Sequence, residues 1–152
     1  MARAHVGLGA NLGEREETLR RALELIAQTA GTAVVAVSSF RETDPVGYLD
    51  QPRFLNAAAE LETSLTPRGL LVALLAVERE LGRTREGPRF GPRTVDLDLL
   101  LYGAVLLDDP GLTLPHPRLH ERRFALEPLL ELDPELVVPG RGRVADLLAE
   151  LD

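Results

Sequence analysis

The chain has 152 residues, a formal net charge of −7 and no cysteine, so it has room for one sizeable core and cannot form disulfides, thiolate nucleophiles or thiolate metal sites. All 17 basic residues are arginines, which excludes a Schiff-base lysine and a P-loop lysine. The acidic balance argues against a nucleic-acid partner, because affinity for a phosphate backbone requires a basic surface. The longest apolar runs, such as LLVALLAV at 70–77, fall far short of a bilayer span, and the N-terminal MARAHVGLGANLG lacks the apolar region of a signal peptide. The expectation is one soluble, cytoplasmic domain over 1–152, with no membrane partner.

In chain order, AHVGL reads as a short strand followed by a turn at GANLGE. From Arg15 to Thr29, Leu19, Ala22, Leu23 and Ile26 recur at the spacing of an amphipathic helix, and Gly31 stands where a C-terminal stop belongs. TAVVAVSSF and RFLNAAAELET read as strands on either side of a Pro- and Gly-bearing loop, RETDPVGYLDQP. Thr66 before Pro67 marks a helix start; Leu70, Leu71, Leu74, Val77, Glu78 and Leu81 follow at helical spacing, and Gly82 ends the pattern. An arginine-rich loop comes next, then a strand in GPRTVDLDLLLYG, a hairpin at YGAVLL and shorter elements. The order β-α-β-β-α-β predicts a ferredoxin-like α+β core: an antiparallel sheet, helices on one face, and C-terminal additions. Such sheets carry many unrelated functions, so the fold alone assigns none.

Chemistry concentrates in three places. Period-two alternation sets Val95, Leu97 and Leu99 on one strand face and Asp96 and Asp98 on the other, about 7 Å apart. Alternation can be mere amphipathicity, yet the strand continues as LLLYG without further polar residues, so the carboxylates are exceptions. Like charges side by side repel unless a cation separates them. Mg²⁺ suits paired oxygens, because it binds through one or two carboxylates and leaves its other positions to phosphate and water. Residues 79–93 hold five arginines against two glutamates, a local positive patch suited to an anionic ligand, or simply a solvated loop. Phe54 and Asn56 share a face if their segment is a strand, offering a ring to stack on and an amide to read a planar heterocycle, or else a core ring and a turn contact. Two further motifs are weak. GLGANLG departs from a dinucleotide fingerprint at its third glycine and reads as a strand-to-helix turn, and His116 and His120 in HPRLH lack the third ligand of a zinc site.

Taken together, GPRTVDLDLLLYG, LPHPRLHERRF, DQPRFLNAAAELET, SSFRETDPVG, ELGRTR and GLGANLG closely resemble, in the same order, the 6-hydroxymethyl-7,8-dihydropterin pyrophosphokinase family of folate biosynthesis. The resemblance implies transfer of pyrophosphate from ATP to the pterin hydroxymethyl group, with release of AMP. It makes Asp96 and Asp98 ligands of two Mg²⁺ ions bridging the ATP phosphates. Arg83 and Arg93 match arginines in or beside a mobile catalytic loop, Arg93 on the triphosphate and Arg83 stabilising transition-state charge. Arg85 matches a neighbouring loop arginine, His116 and Arg122 match phosphate contacts, and Glu78 matches a residue on the ATP side. For the pterin, it implies a sandwich between Phe54 and Phe124, Asn56 on the polar edge, backbone contacts from Thr43 and Val46, and Phe90 as a lid. A monomer is expected. Phe90 stands where the family often has Trp, Phe54 where it commonly has Tyr, and Ala10 where it usually has Ser. None of these removes a charged group. Two rivals remain at this point: a non-catalytic nucleotide or pterin sensor, and a DxD-type nucleotide-sugar transferase.

Overall fold

The computed structural model describes residues 1–10, 15–43, 54–83 and 95–151; of Arg83 it describes the backbone. Val46, Arg85, Phe90 and Arg93 lie outside the described residues. The main sheet holds β1 (Ala2–Ala10), β2 (Thr32–Val37), β3 (Arg41–Thr43), β4 (Phe54–Thr63) and β5 (Asp96–Tyr102). Its order is β2-β4-β1-β5, every neighbour antiparallel, with β3 paired to the start of β4. Leaving out β3, this is the ferredoxin-like α+β arrangement expected from the element order. The segment read as an uninterrupted loop from Arg41 therefore begins as a strand, because Arg41, Glu42 and Thr43 find free partners at Asn56, Leu55 and Phe54.

Helices α1 (Arg15–Ala27) and α2 (Pro67–Arg83) cover one face. Their apolar stripes, including Leu19 and Ile26 of α1 and Leu70 and Leu74 of α2, pack with Val6 and Leu8 of β1 and Leu61 of β4 in one buried cluster. Each fully buried leucine contributes on the order of 1.5–3 kcal/mol. Thr66 caps α2: its Oγ1 accepts a hydrogen bond from Gly69 N–H at 3.0 Å. Gly31, at φ +75°, turns the chain after α1, as its position in the sequence implied. Gly82 does not end α2, which runs one residue further.

The C-terminal additions lie on the other face. A 3-10 turn at Leu119–Glu121, α3 (Arg123–Leu132) and α4 (Val144–Ala149) build a second cluster with Ala58, Leu100 and Leu101 on the opposite side. The reason lies in β5. Val6 pairs with Leu99 and His5 with Leu101, so Leu100 is an extra residue in the ladder. This bulge turns Leu100 and Leu101 together into the second cluster. It also explains why LLLY abandons polar alternation. The hairpin expected at YGAVLL forms later, between β6 (Leu107–Asp109) and β7 (Leu112–Leu114) around Pro110 and Gly111, while Tyr102 to Val105 is a turn closed by Val105 N–H onto Tyr102 O at 3.0 Å. A last two-stranded ladder joins β8 (Val137–Val138) to β9 (Gly142–Arg143). Among the described residues, no helix is long and apolar enough to cross a membrane.

Candidate active site

On the sheet face that carries the second cluster, the central strand holds two glycines. Gly9 pairs with Asn56 of β4 on one side and Asp96 of β5 on the other; Gly7 pairs with Ala58 and Asp98. Two cross-strand rows result, Asn56-Gly9-Asp96 and Ala58-Gly7-Asp98, with no side chain in their middle. A Cβ on Gly9 would lie 2.9 Å from Asn56 Oδ1, so the close approach requires glycine there. The sequence reading ended the strand before Gly9, whereas β1 runs to Ala10. Gly7 and Gly9 form the floor of the site and were missed; their signal was glycine at period two within an otherwise apolar strand.

Asp96 and Asp98 are both partly exposed on this face, as alternation predicted. Leu97, between them, donates its N–H to Glu78 Oε2 at 2.7 Å, so Glu78 of α2 holds the outer edge of β5. Beyond β7, His116 N–H binds Leu100 O at 2.9 Å, which brings the histidine alongside the bulge. Its Nδ1 accepts from Arg118 N–H at 3.1 Å, so the neutral ring carries its proton on Nε2. Burial pushes the imidazole below its ordinary pKa; Asp98 opposes this, while Arg122 and Arg118 add to it. Arg122 Nη1 lies 3.9 Å from Asp98 Oδ2, and its guanidinium carbon lies 5.6 Å from the centre of the Phe124 ring. Arg122 stands at the junction between the 3-10 turn and α3, so one short segment delivers Arg122 and Phe124 together.

On the β4 side, Asn56 is buried and donates from Nδ2 to Thr43 Oγ1. Phe54, two positions along β4, is half-buried on the same face. Phe124 packs against the cluster that contains Ala58, two residues further along β4. The structure thus brings Asp96, Asp98, His116, Arg122 and Phe124 to one side of the glycine floor and Phe54, Asn56 and Thr43 to the other. Arg83 ends α2, before the arginine-rich segment outside the described residues.

Two partly exposed hard-oxygen donors on one strand face fit magnesium, which keeps most of its coordination for phosphate and water. They do not make a closed metal cage. Among the described residues no group of three or more His, Asp or Glu side chains gathers as a metal site, and His120 turns to Glu121, 3.6 Å from its carboxylate.

The fold and site define a ferredoxin-like α+β domain with paired carboxylates, an arginine and a histidine converging on one sheet face. The family model for 7,8-dihydro-6-hydroxymethylpterin-pyrophosphokinase matches residues 5–134, and the chain belongs to that family. It is a pyrophosphokinase, a transferase of folate biosynthesis. The chain is 52% identical over 129 residues to the 2-amino-4-hydroxy-6-hydroxymethyldihydropteridine pyrophosphokinase of Bacillus subtilis, covering 85% of this chain and 77% of that protein. It is 47% identical over 152 residues to the enzyme of the same name from Methylorubrum extorquens, covering 100% and 95%. A crystal structure of wild-type HPPK-DHPS from Plasmodium falciparum superimposes with a TM-score of 0.79 at 15% identity. That alignment covers 98% of this chain but 43% of the longer solved chain, and it speaks for the fold.

Proposed function

We propose that the chain, as a cytoplasmic monomer of one domain, transfers pyrophosphate from ATP to the hydroxymethyl group of 6-hydroxymethyl-7,8-dihydropterin, releasing AMP, with two magnesium ions as cofactor. The observation that carries this reading is the row Asn56-Gly9-Asp96, which sets an amide suited to a heterocycle and a carboxylate suited to a metal on one sheet face. Phe54 and Phe124 stack the pterin from either side, Asn56 and Thr43 read its polar edge, and Val46 and Phe90 complete that subsite. Asp96 and Asp98 would hold the magnesium, which supplies positive charge to the triphosphate.

The pterin hydroxyl attacks the β-phosphorus in line as the bond from that phosphorus to the α,β-bridging oxygen breaks; AMP leaves with that oxygen, and the hydroxyl proton passes to solvent. Little covalent work falls to the protein in such a transfer; positioning and charge carry it. His116 donates from Nε2 and Arg122 from its guanidinium to phosphate oxygens, and Arg122 also joins the nucleotide side to the pterin side through its contact with Phe124. Arg85 and Arg93 bind the triphosphate, and Arg83 stabilises charge in the transition state. Glu78 acts on the ATP side by holding β5, and thereby the two aspartates, against α2.

Phosphorus NMR on protein incubated with ATP, Mg²⁺ and 6-hydroxymethyl-7,8-dihydropterin tests this directly. AMP with a new diphosphate ester is expected. ADP would mean transfer of a single phosphoryl group, and ATP binding without turnover would mean a sensor.

A further inference from the structure

The crossing from β2 to β3 is tied to α3 by a group of side chains that touches neither proposed substrate. Glu131, two turns beyond Phe124 on α3, uses both carboxylate oxygens. Oε2 accepts from Ser39 N–H at 2.8 Å; Oε1 accepts from Ser39 Oγ and from Arg41 Nη2, each at 2.8 Å. Arg41 also lies 3.7 Å from Glu127 on the same helix. On its other side the crossing is pinned to the sheet. Ser38 N–H binds Ala58 O, and Ala58 N–H binds Ser38 Oγ, both at 2.9 Å. Arg41 then pairs with Asn56, and Thr43, two residues on, accepts the Asn56 amide.

This geometry connects the two walls of the proposed pterin subsite. One wall, Thr43 and Asn56, stands on β3 and β4; the other, Phe124, stands on α3. Three charge-assisted or neutral hydrogen bonds to a single carboxylate fix the spacing between them, and such bonds are directional. We propose that Glu131 is a positioning residue for the pterin: through Ser39 and Arg41 it sets where β3 and Asn56 stand relative to Phe124, and so how well a ring stacked on Phe124 meets Asn56 with its polar edge. The inference rests on the pterin reading of the site given above. The Arg41 guanidinium first, and the two Ser39 bonds next, hold the Glu131 carboxyl below its ordinary range. The clamp therefore stays charged through the neutral pH range.

The test is binding of 6-hydroxymethylpterin, followed by its fluorescence, and of ATP with Mg²⁺, to wild-type protein, Glu131→Ala, Glu131→Gln and Arg41→Gln. Because Glu131 and Arg41 are partly exposed, these variants should fold, and thermal melts establish that they do. Losing charge-assisted bonds from the clamp should raise the pterin Kd, and the KM for the pterin, about tenfold in Glu131→Ala. ATP affinity and kcat should stay within about twofold, and Glu131→Gln, which keeps an acceptor for Ser39 N–H, should lie between. A merely structural role would lower melting temperature and weaken both ligands alike, and that result would overturn the proposal. Unchanged pterin affinity in Glu131→Ala and Arg41→Gln, with normal binding by wild type, would overturn it while leaving the site reading intact. Wild-type protein that binds ATP but no pterin would remove the site reading and this inference with it.

Discussion

Replacing Gly9 by alanine puts one methyl group where the site has none. The new carbon would stand 2.9 Å from Asn56 Oδ1, about 0.5 Å inside ordinary contact, and no other described atom comes within 4 Å of it. Asn56 is buried and bound to Thr43, so it can yield only by turning its amide away. That rotation forfeits about 1 kcal/mol for the hydrogen bond and about 1–3 kcal/mol for a buried amide left unsatisfied. Against this, the alanine lowers unfolded-state entropy by about 0.5–1 kcal/mol, since Gly9 has an ordinary negative-φ backbone. The balance is a destabilisation of about 1–3.5 kcal/mol. The larger effect should fall on the pterin, whose edge loses a correctly aimed amide: its Kd should rise about 10- to 100-fold, with ATP affinity little changed. Gly7→Ala is the control. Its Cβ would meet Leu100 Cδ1 at 3.3 Å, the end of a side chain that can shift, and it reaches no part of Asn56. Fluorescence titration with 6-hydroxymethylpterin, beside urea unfolding, separates the two. Gly9→Ala protein that binds the pterin within twofold of wild type would refute the argument that Asn56 reads the ligand from a position Gly9 makes possible.

Asp98→Ala removes one of the paired carboxylates and the partner of Arg122, so turnover should fall at least 100-fold at millimolar Mg²⁺; a near-normal rate would exclude the metal role. His5 is buried beside Glu60 and Leu101, and burial, helped by Arg3 and opposed by Glu60 and Asp133, holds its pKa below the ordinary value. Its neutral form favours the folded state. Stability should therefore be full above about pH 6.5 and decline as pH falls below it, because the unfolded ring takes up the proton first. Thermal melts of His5→Leu should show a shallower decline between about pH 6.5 and 5 than wild type. Thr66→Ala removes the cap on Gly69 N–H and should cost about 1 kcal/mol in urea unfolding, with kcat unchanged.

Much of the site was legible because its chemistry depends on local alternation. The strand period alone put Asp96 and Asp98 on one face and joined Phe54 to Asn56, and both relations hold in the structure. The cap at Thr66 and the stop at Gly31 were equally local, fixed by side-chain and backbone geometry within a few residues. Where the reading failed, the deciding partner was remote in sequence. Gly9 looked like a turn residue until β4 and β5 flanked it; the LLLY run looked uniform until the ladder against β1 skipped Leu100.

The sequence by itself determined the class of fold, the two helices on the first face and the strand faces shared by Asp96 with Asp98 and by Phe54 with Asn56, since period and residue chemistry are properties of short segments. Tertiary structure decided the rest. The second layer of helices, the cross-strand rows through Gly7 and Gly9, the tie from Glu78 to the aspartate strand and the Glu131 clamp all join residues far apart along the chain, and no local pattern specifies which distant partner a backbone group will find.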